Sequence, residues 1–387
     1  MRTPLIRLAL TGCLLLAACG GSSSDDPKPT RTPDPNATAT RTRTRPPTRT
    51  PGGPTNTPRP TRTPGPPVTL FVRPNGVDTA TGTSPDQALR TLAAAVEKLS
   101  PGSTIYVGAG VYRERLTVTG IAGTEALPVR IIADRSGAQT GGSRGEAVID
   151  ANGGLVAAII TNSPWLTLDG FIIRGTAPTE ESDAVDLRIR GGSDHVTVKH
   201  CTVANAEPAD GIRVDSSDDV LLFNNLVFAT TRGIVVTGSA SRTQIINNTI
   251  ALTDRAGISL RAAGGSSPND TEVLNTIIQE TGPGVALDAS VATDFTGDFN
   301  LVFQPELEDQ AAAYLPPEAR GDNDINSDAF FVNIGVGDLH LEPDSPAIDA
   351  GTTRIDNDLE DELERRSTTA DGERDEPPID LGYHYPR

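Results

Sequence analysis

The feature that most constrains this chain is an internal repeat with a period of about 25 residues. Six segments between Leu168 and Val302 repeat a short apolar stretch that is interrupted by a small or polar residue at one shared position. That position is occupied by Gly170, Cys201, Asn225, Asn248, Asn275 and Asn300, at spacings of 31, 24, 23, 27 and 25 residues. The unit is too short for a propeller blade and lacks the helix of a leucine-rich repeat. It predicts one coil of a parallel β-helix.

A second marker, a small residue followed by an aliphatic one, keeps the same period. It falls at Ala184-Val185, Gly211-Ile212, Gly233-Ile234, Gly257-Ile258 and Gly284-Val285. Side chains of a strand alternate between its two faces. The stretch 184–190 is therefore predicted to turn its aliphatic residues inward and to place Asp186, Arg188 and Arg190 on the outer face.

Equivalent residues on neighbouring coils of such a fold lie about 4.8 Å apart. Asn225, Asn248, Asn275 and Asn300 are therefore predicted to form a ladder of side-chain amides, in which each amide donates to the next carbonyl. Asn also tolerates the left-handed backbone conformation of a tight turn. We interpret this ladder as structural.

The sequence before the repeats predicts short strands and one helix. Strands are expected at 69–72 and 104–107, and apolar residues recur at helical spacing within 88–99, before Pro101-Gly102. The open end of a solenoid exposes apolar side chains and unpaired backbone groups. An amphipathic helix beside the first strands is therefore predicted to cap the solenoid.

The first 18 residues predict a signal peptide. Arg2 and Arg7 precede an apolar run, 8–18, which is shorter than the roughly 20 residues that a membrane-spanning helix needs. The run ends in Leu16-Ala17-Ala18-Cys19, which resembles the bacterial lipobox, and this resemblance implies lipidation of Cys19. We expect a protein exported and lipid-anchored to the cell envelope, in the outer membrane or at the cell surface.

Residues 19–66 consist almost wholly of Thr, Pro, Arg, Gly, Ser and Asn. Without large apolar side chains this segment cannot offset the entropy of ordering, so a disordered, lipid-anchored linker is predicted. Residues 1–66 hold ten Arg or Lys and three Asp, so the body beyond them carries a formal charge of −25, against −18 for the whole chain. An acidic body argues against nucleic acid as a partner.

Several motifs resemble those of one family. Stretches within 71–114 resemble the N-terminal segment of bacterial right-handed β-helix proteins of the pectate-lyase-like superfamily; they are Phe71–Gly76, Gly82–Pro85, Arg90–Leu92, Pro101–Val107 and Gly110–Glu114. Near the C-terminus, Asp338–Leu341, Ser345–Gly351 and Ile379–Gly382 resemble the choice-of-anchor Q domain. Together these resemblances imply an all-β right-handed parallel β-helix, a solenoid with an N-terminal capping helix.

The predicted organisation has five parts. They are a lipoprotein signal peptide (1–18), a disordered Thr/Pro/Arg-rich linker (19–66), a cap with the first coils (67–150), the β-helix repeats (151–305) and an acidic choice-of-anchor Q-like segment (306–387).

The resembled superfamily usually binds substrate along an outward-facing strip of parallel strands. The corresponding strip here is Asp183, Asp186, Arg188, Asp210, Arg213, Asp215, Arg232 and Arg261. The second marker predicts that Asp186 stacks on Arg213 and that Arg188 stacks on Asp215. We interpret these as cross-strand ion pairs worth a few tenths of a kcal/mol. Within the strip, the candidate substrate-binding residues are Asp186, Arg188, Arg213, Asp215 and Arg232.

Asp183 and Asp210 are candidate catalytic carboxylates. The same register stacks them as two like charges unless a cation or proton is shared. Such a pair could act as acid and base on a glycosidic bond, or could hold Ca²⁺ against a uronate. Arg232, next in the stack, could instead neutralise Asp210. No cofactor is predicted, Ca²⁺ stays open, and no metal ligand is assigned.

Lys199 is a further candidate catalytic residue, because a lyase needs a base near the proton that it abstracts. It stands beside His200, on a different predicted strand from the acidic strip. This separation argues against a lyase.

Two classes of function stay open. The first is a cell-surface lipoprotein whose β-helix binds extracellular polysaccharide, with cleavage by a lyase or glycoside hydrolase mechanism undecided. The second is a non-catalytic surface protein with a structural or adhesive role. In both, the expected partners are polysaccharide and the membrane that holds the lipid anchor, and the protein is expected to be a monomer.

Overall fold

The computed structural model describes residues 65–179, 184–204, 209–291 and 294–387. The predicted signal peptide, Cys19, almost all of the predicted linker and Asp183 lie outside these described residues. Within them, the chain winds through about eight turns of a parallel β-helix with three parallel sheets. The predicted all-β, right-handed parallel β-helix is confirmed. No helix of the described part is long and apolar enough to cross a membrane.

The strands are numbered in chain order. Sheet A contains β1 (Thr69–Val72), β2 (Thr104–Gly108), β5 (Val129–Asp134), β8 (Leu166–Asp169), β11 (Thr197–Lys199), β14 (Leu221–Phe223), β17 (Gln244–Ile246), β20 (Thr271–Leu274) and β23 (Phe295–Asp298). Sheet B contains β3 (Gly110–Tyr112), β6 (Ala147–Asp150), β9 (Ile172–Arg174), β12 (Thr202–Ala204), β15 (Leu226–Phe228), β18 (Thr249–Ala251), β21 (Ile277–Gln279) and β24 (Leu301–Phe303).

Sheet C contains β4 (Leu116–Thr119), β7 (Val156–Thr161), β10 (Ala184–Arg190), β13 (Ala209–Asp215), β16 (Arg232–Thr237), β19 (Ile258–Arg261), β22 (Val285–Leu287) and β25 (Tyr314–Leu315). A separate antiparallel hairpin joins β26 (Phe331–Asn333) to β27 (Asp338–Leu341). The helices are α1 (Leu92–Val96) and α2 (Asn357–Leu363), with short 3-10 turns at Pro85–Gln87, Gln310–Ala313, Pro317–Ala319 and Ile334–Val336.

The core is built from columns of aliphatic side chains, one from each coil. In sheet A, Leu168, Val198, Leu222, Ile245 and Val273 are successive register neighbours. None of the five is more than 1% exposed. Burying one such side chain contributes about 1.5–3 kcal/mol. Residues about 25 apart therefore lie directly over one another, as the repeat predicts.

The predicted capping helix is present but shorter than the 88–99 expected. Helix α1 begins after Thr91, whose hydroxyl accepts a hydrogen bond from the backbone N–H of Ala94 at 3.2 Å. Residues before it are extended, because the N–H of Leu89 donates to the carbonyl of Phe71 in β1 at 2.8 Å. Residues 88–91 are therefore not helical, because backbone hydrogen bonds to the first strand outweigh the helical spacing of the apolar residues.

The amide ladder exists, but the prediction that Asn275 belongs to it is wrong. The Asn225 amide donates to Asn248 Oδ1 at 3.0 Å, and the backbone N–H of Asn248 donates to the Thr276 hydroxyl at 3.3 Å. The N–H of Thr276 in turn donates to Asn300 Oδ1 at 3.0 Å. Thr276 takes the third rung because its hydroxyl can replace an amide oxygen as acceptor.

The residue before each rung carries the left-handed turn conformation. The φ angles of Asn224, Asn247 and Asn275 are 49°, 52° and 51°. Their side-chain amides point outward and donate to backbone carbonyls within residues 352–384 at 2.9–3.1 Å. The sequence predicted that the same Asn forms the rung and adopts the left-handed turn conformation. In the structure, two adjacent residues take these two roles. The outward amides fasten the C-terminal segment to the corner between sheets A and B.

Candidate functional site

The outer face of sheet C holds the predicted charged strip, in a register that differs from the predicted one by two residues. Arg188 lies opposite Arg213, and Arg190 lies opposite Asp215. The predicted stacking of Asp186 on Arg213 and of Arg188 on Asp215 is therefore wrong. Arg188 still reaches Asp215 diagonally, with 2.7 Å between Nη2 and Oδ2.

The predicted register is wrong because the marker was assigned to the wrong residues of β10. Val185 lies opposite Asp210, where Asp183 was predicted, and Asp183 itself lies outside the described residues. The equivalent of Gly211-Ile212 is Asp186-Leu187 and not Ala184-Val185. A shift of two residues keeps each side chain on its own face, because the side-chain period of a strand is two. The hydrophobic pattern alone therefore could not detect it.

Asp210 is held between two arginines. Its Oδ1 accepts a hydrogen bond from Arg232 Nη1 at 2.7 Å, and its Oδ2 accepts one from Arg213 Nη2. Arg232 lies directly opposite Asp210 on β16, so the prediction that Arg232 could neutralise this carboxylate is confirmed. Asp210 is only 2% exposed, and both of its oxygens are engaged. The geometry makes Asp210 an anchor that orients two guanidinium groups.

Asp186, predicted to lie on the outer face, is fully buried instead. Its Oδ1 accepts a hydrogen bond from the Thr176 hydroxyl at 2.7 Å, whereas its Oδ2 has no hydrogen-bond partner. Burial raises the pKa of Asp186 to about 7, with hydrogen bonds from Thr176 opposing the rise and the charge of Asp210 adding to it. Asp186 therefore cannot touch a ligand on the outer face directly.

A pocket of about 180 Å³ opens over the beginnings of β13 and β16. Its lining residues are Pro178, Ala184, Ala209, Asp210, Thr231, Arg232 and Arg255. Thr231 and Arg255 were missed by the sequence analysis. Arg255 comes two residues before the glycine marker of its coil, so the repeat itself could have located it.

Lys199 lies in sheet A, away from the strip, as the sequence predicts. Its Nζ lies 2.6 Å from Glu362 Oε1, on helix α2. Burial of Glu362 raises its pKa, but hydrogen bonds from His200 and Lys199 outweigh this and lower it to about 2. His200 also contacts Asp169, with 2.8 Å between Nδ1 and Oδ1. Lys199 thus helps to hold the C-terminal segment, and its predicted role as a base remains untested.

The described residues contain no group of three or more His, Cys, Asp or Glu that could hold a metal ion. The strip is instead rich in arginine. Arg188, Arg213 and Arg232 lie on adjacent strands of sheet C, and Arg255 lines the pocket. Among the described residues, Asp215 pairs with Arg188, and Asp210 pairs with Arg213 and Arg232.

The fold and the site define a right-handed parallel β-helix protein with an arginine-rich outer strip on one sheet. Residues 184–299 match the family described as right handed beta helix region. An uncharacterised protein of Bacillus subtilis strain 168, YwoF, is 30% identical over 131 residues. The aligned part covers 34% of this chain and 27% of that protein, so the chain spans about a quarter of the length of this relative.

Solved structures with a similar fold include pectate lyase Pel9A, at 14% identity and a TM-score of 0.49, with 74% of this chain and 93% of that chain covered. A rhamnogalacturonan lyase is also 14% identical, with a TM-score of 0.49 over 76% and 98% of the two chains. An alginate lyase from Paenibacillus sp. is 17% identical, with a TM-score of 0.44 over 56% and 75%. At these identities the likeness concerns the fold alone.

Proposed function

We propose that this protein binds an anionic polysaccharide along the outer face of sheet C. The observation that carries the proposal is the pair of guanidinium groups held at Asp210, which belong to an arginine-rich strip on an acidic body. Guanidinium groups pair with carboxylates through parallel hydrogen bonds and are weakly hydrated. A chain that carries carboxylates, such as a polyuronate, suits this surface better than a neutral one.

The size of the site favours a chain over a small free ligand. Pockets that enclose drug-sized ligands usually measure about 300–1,000 Å³. The pocket here is about 180 Å³, and Asp210 and Arg232 of its lining are register neighbours on adjacent strands of sheet C. Such a surface accommodates one sugar unit in the pocket while its neighbours lie across the stacked strands.

Binding fits the described residues better than cleavage. Asp210 is engaged on both oxygens, and Asp186 is fully buried. Lys199 lies in another sheet and is paired with Glu362. A general acid or base must come within hydrogen-bond reach of the proton that it transfers. We therefore propose a non-catalytic, carbohydrate-binding protein, displayed at the cell surface through the lipid anchor at Cys19.

Binding to polygalacturonate and to its fully methyl-esterified form tests the proposal by isothermal titration calorimetry. The two polymers share one backbone and differ in charge. We expect affinity for the charged form alone, weakening as salt rises. Arg188→Gln is expected to lower the affinity by about tenfold, the size expected for one lost charge-assisted hydrogen bond of about 1.5 kcal/mol.

Arg242→Gln is the control, because this arginine is 53% exposed and pairs with Asp219 in the turns that lead into sheet A, outside the proposed strip. Its affinity should equal that of the wild-type protein. Equal binding of both polymers, or an unchanged affinity in Arg188→Gln, would refute the proposed site. Appearance of new reducing ends or unsaturated products during the titration would show an enzyme instead.

A further inference from the structure

Asp186 occupies a position that glycine fills in the four coils that follow. Gly211 is its register equivalent on β13, and Gly233, Gly257 and Gly284 continue the row. A Cβ atom added to Gly211 would lie 2.6 Å from Val227 Cγ1, inside the solenoid. The row therefore points inward, and Asp186 places a carboxyl group where the four coils that follow have no side chain.

The turn before β10 has more residues than the corresponding turn of the next coil. Nine residues separate Arg174 of β9 from Ala184 of β10, whereas four separate the corresponding strands of the next coil. Thr176, in the longer turn, donates its hydroxyl to Asp186 Oδ1. The arrangement is specific to one coil, and this coil is the neighbour of the one that carries Asp210.

The charged group that acts on Asp186 within the described part of the chain is Asp210, which belongs to the site. Asp210 on β13 raises its pKa by charge repulsion, and Asp210 is itself bound by Arg213 and Arg232. On β7, the neighbouring residue is the apolar Ala157, and the described part of the preceding turn contributes Thr176. Among the described residues, no other titratable group acts on Asp186.

We propose that Asp186 is a positioning residue that sets the pH range in which the strip on sheet C holds an anionic chain. This inference rests on the proposed function. A neutral Asp186 leaves the arginines of the strip available to the ligand. An ionised Asp186 adds a negative charge next to Asp210, the carboxylate that holds Arg213 and Arg232, and so opposes the binding of an anionic chain at these two arginines.

The direction of the effect follows from burial. The neutral form is favoured because the carboxyl group is removed from water and Oδ2 lacks a partner. With a pKa of about 7, Asp186 ionises as the pH rises from 6 to 8. We expect the affinity for polygalacturonate to fall by about fivefold to tenfold across this interval, because a unit charge added beside Asp210 weakens the attraction of Arg213 and Arg232 for the polymer at an effective dielectric constant of about 20.

The experiment is a pH series of polygalacturonate titrations with the wild-type protein, Asp186→Asn and Thr176→Val. The Asn variant should keep the low-pH affinity at every pH, because its amide is neutral. The Val variant removes a hydrogen bond that favours the ionised form, so the midpoint of its pH profile should move upward. An Asn variant with the wild-type pH profile would overturn the inference, and so would a wild-type profile that is flat.

A ligand-free measurement separates this inference from the proposed function. An acid whose pKa is raised by folding makes the protein less stable as the pH rises from its unfolded pKa to its folded pKa. The stability advantage of Asp186→Asn over the wild-type protein should therefore grow between about pH 4 and 7 and level off above. One outcome is that the stability difference grows as expected while polygalacturonate binds at no pH. In that case the proposed function fails, and the role of Asp186 in binding fails with it. If polygalacturonate binds without pH dependence, only the present inference fails.

Discussion

Replacing Asp210 with Ala is expected to lower the free energy of unfolding by about 3–5 kcal/mol, the usual cost of removing one partner from a buried ion pair. The carboxylate is 2% exposed and bridges Arg213 and Arg232. Its removal leaves two partly buried guanidinium groups of like charge side by side. Urea denaturation followed by circular dichroism measures the effect.

Asp215→Ala is the matched control for this change. Asp215 lies on the same strand but its side chain is 26% exposed, and its ion pair among the described residues is with Arg188. Its loss should cost less than about 1 kcal/mol, as for a partly exposed ion pair. Equal losses in the two variants would contradict the anchoring role of Asp210. If Asp210→Ala also loses polygalacturonate binding, the loss indicates contact with the ligand only when the stability measurement shows that the variant is folded.

Gly233→Val is expected to destabilise the protein by at least about 3 kcal/mol, above the usual range for overpacked cores, because backbone as well as side chains must move. A Cβ atom at this position would lie 2.4 Å from Ile250 Cγ2 and 2.5 Å from the carbonyl oxygen of Gly257. Both neighbours belong to the next coil. Thermal denaturation measures the loss.

Gly335→Val serves as the control, since the nearest atom to an added Cβ there is Asn333 Oδ1 at 3.5 Å. This variant should keep nearly the wild-type midpoint. A Gly233→Val protein as stable as the wild type would contradict the close stacking of coils at the glycine row.

The sequence carried enough information to predict the solenoid. One small residue per coil is needed where successive coils approach closely, and one polar rung per coil satisfies the backbone at the corner between sheets A and B. Both requirements place a recognisable residue type at intervals of about 25 residues. The fold, the core columns and most of the ladder could therefore be predicted. Thr276 was not predicted as a rung because its coil has a hydroxyl where neighbouring coils have an amide.

The details of the site were harder to predict because they depend on departures from the repeat. Asp186 replaces the glycine of its coil, and this hides the marker and moves the predicted register by two residues. Alternation then predicted an exposed carboxylate where the structure has a buried one. The repeat describes an average coil, whereas the candidate site lies where one coil differs from the rest.

The contacts of the C-terminal segment could not be predicted from local pattern. Lys199 and Glu362 are 163 residues apart, and Asn224 and His384 are 160 apart. No periodicity links these residues, because the segment beyond the last coil does not follow the repeat. Their pairing shows that the C-terminal segment covers the corner between sheets A and B.

The most direct test of that function is arginine footprinting with a dicarbonyl reagent, with and without polygalacturonate, read by peptide mass spectrometry. We predict several-fold slower modification of Arg188, Arg213 and Arg255 in the presence of the polymer, with Arg242 unchanged. Uniform protection of all arginines, or protection of Arg242 in place of those on sheet C, would contradict a binding strip on this face.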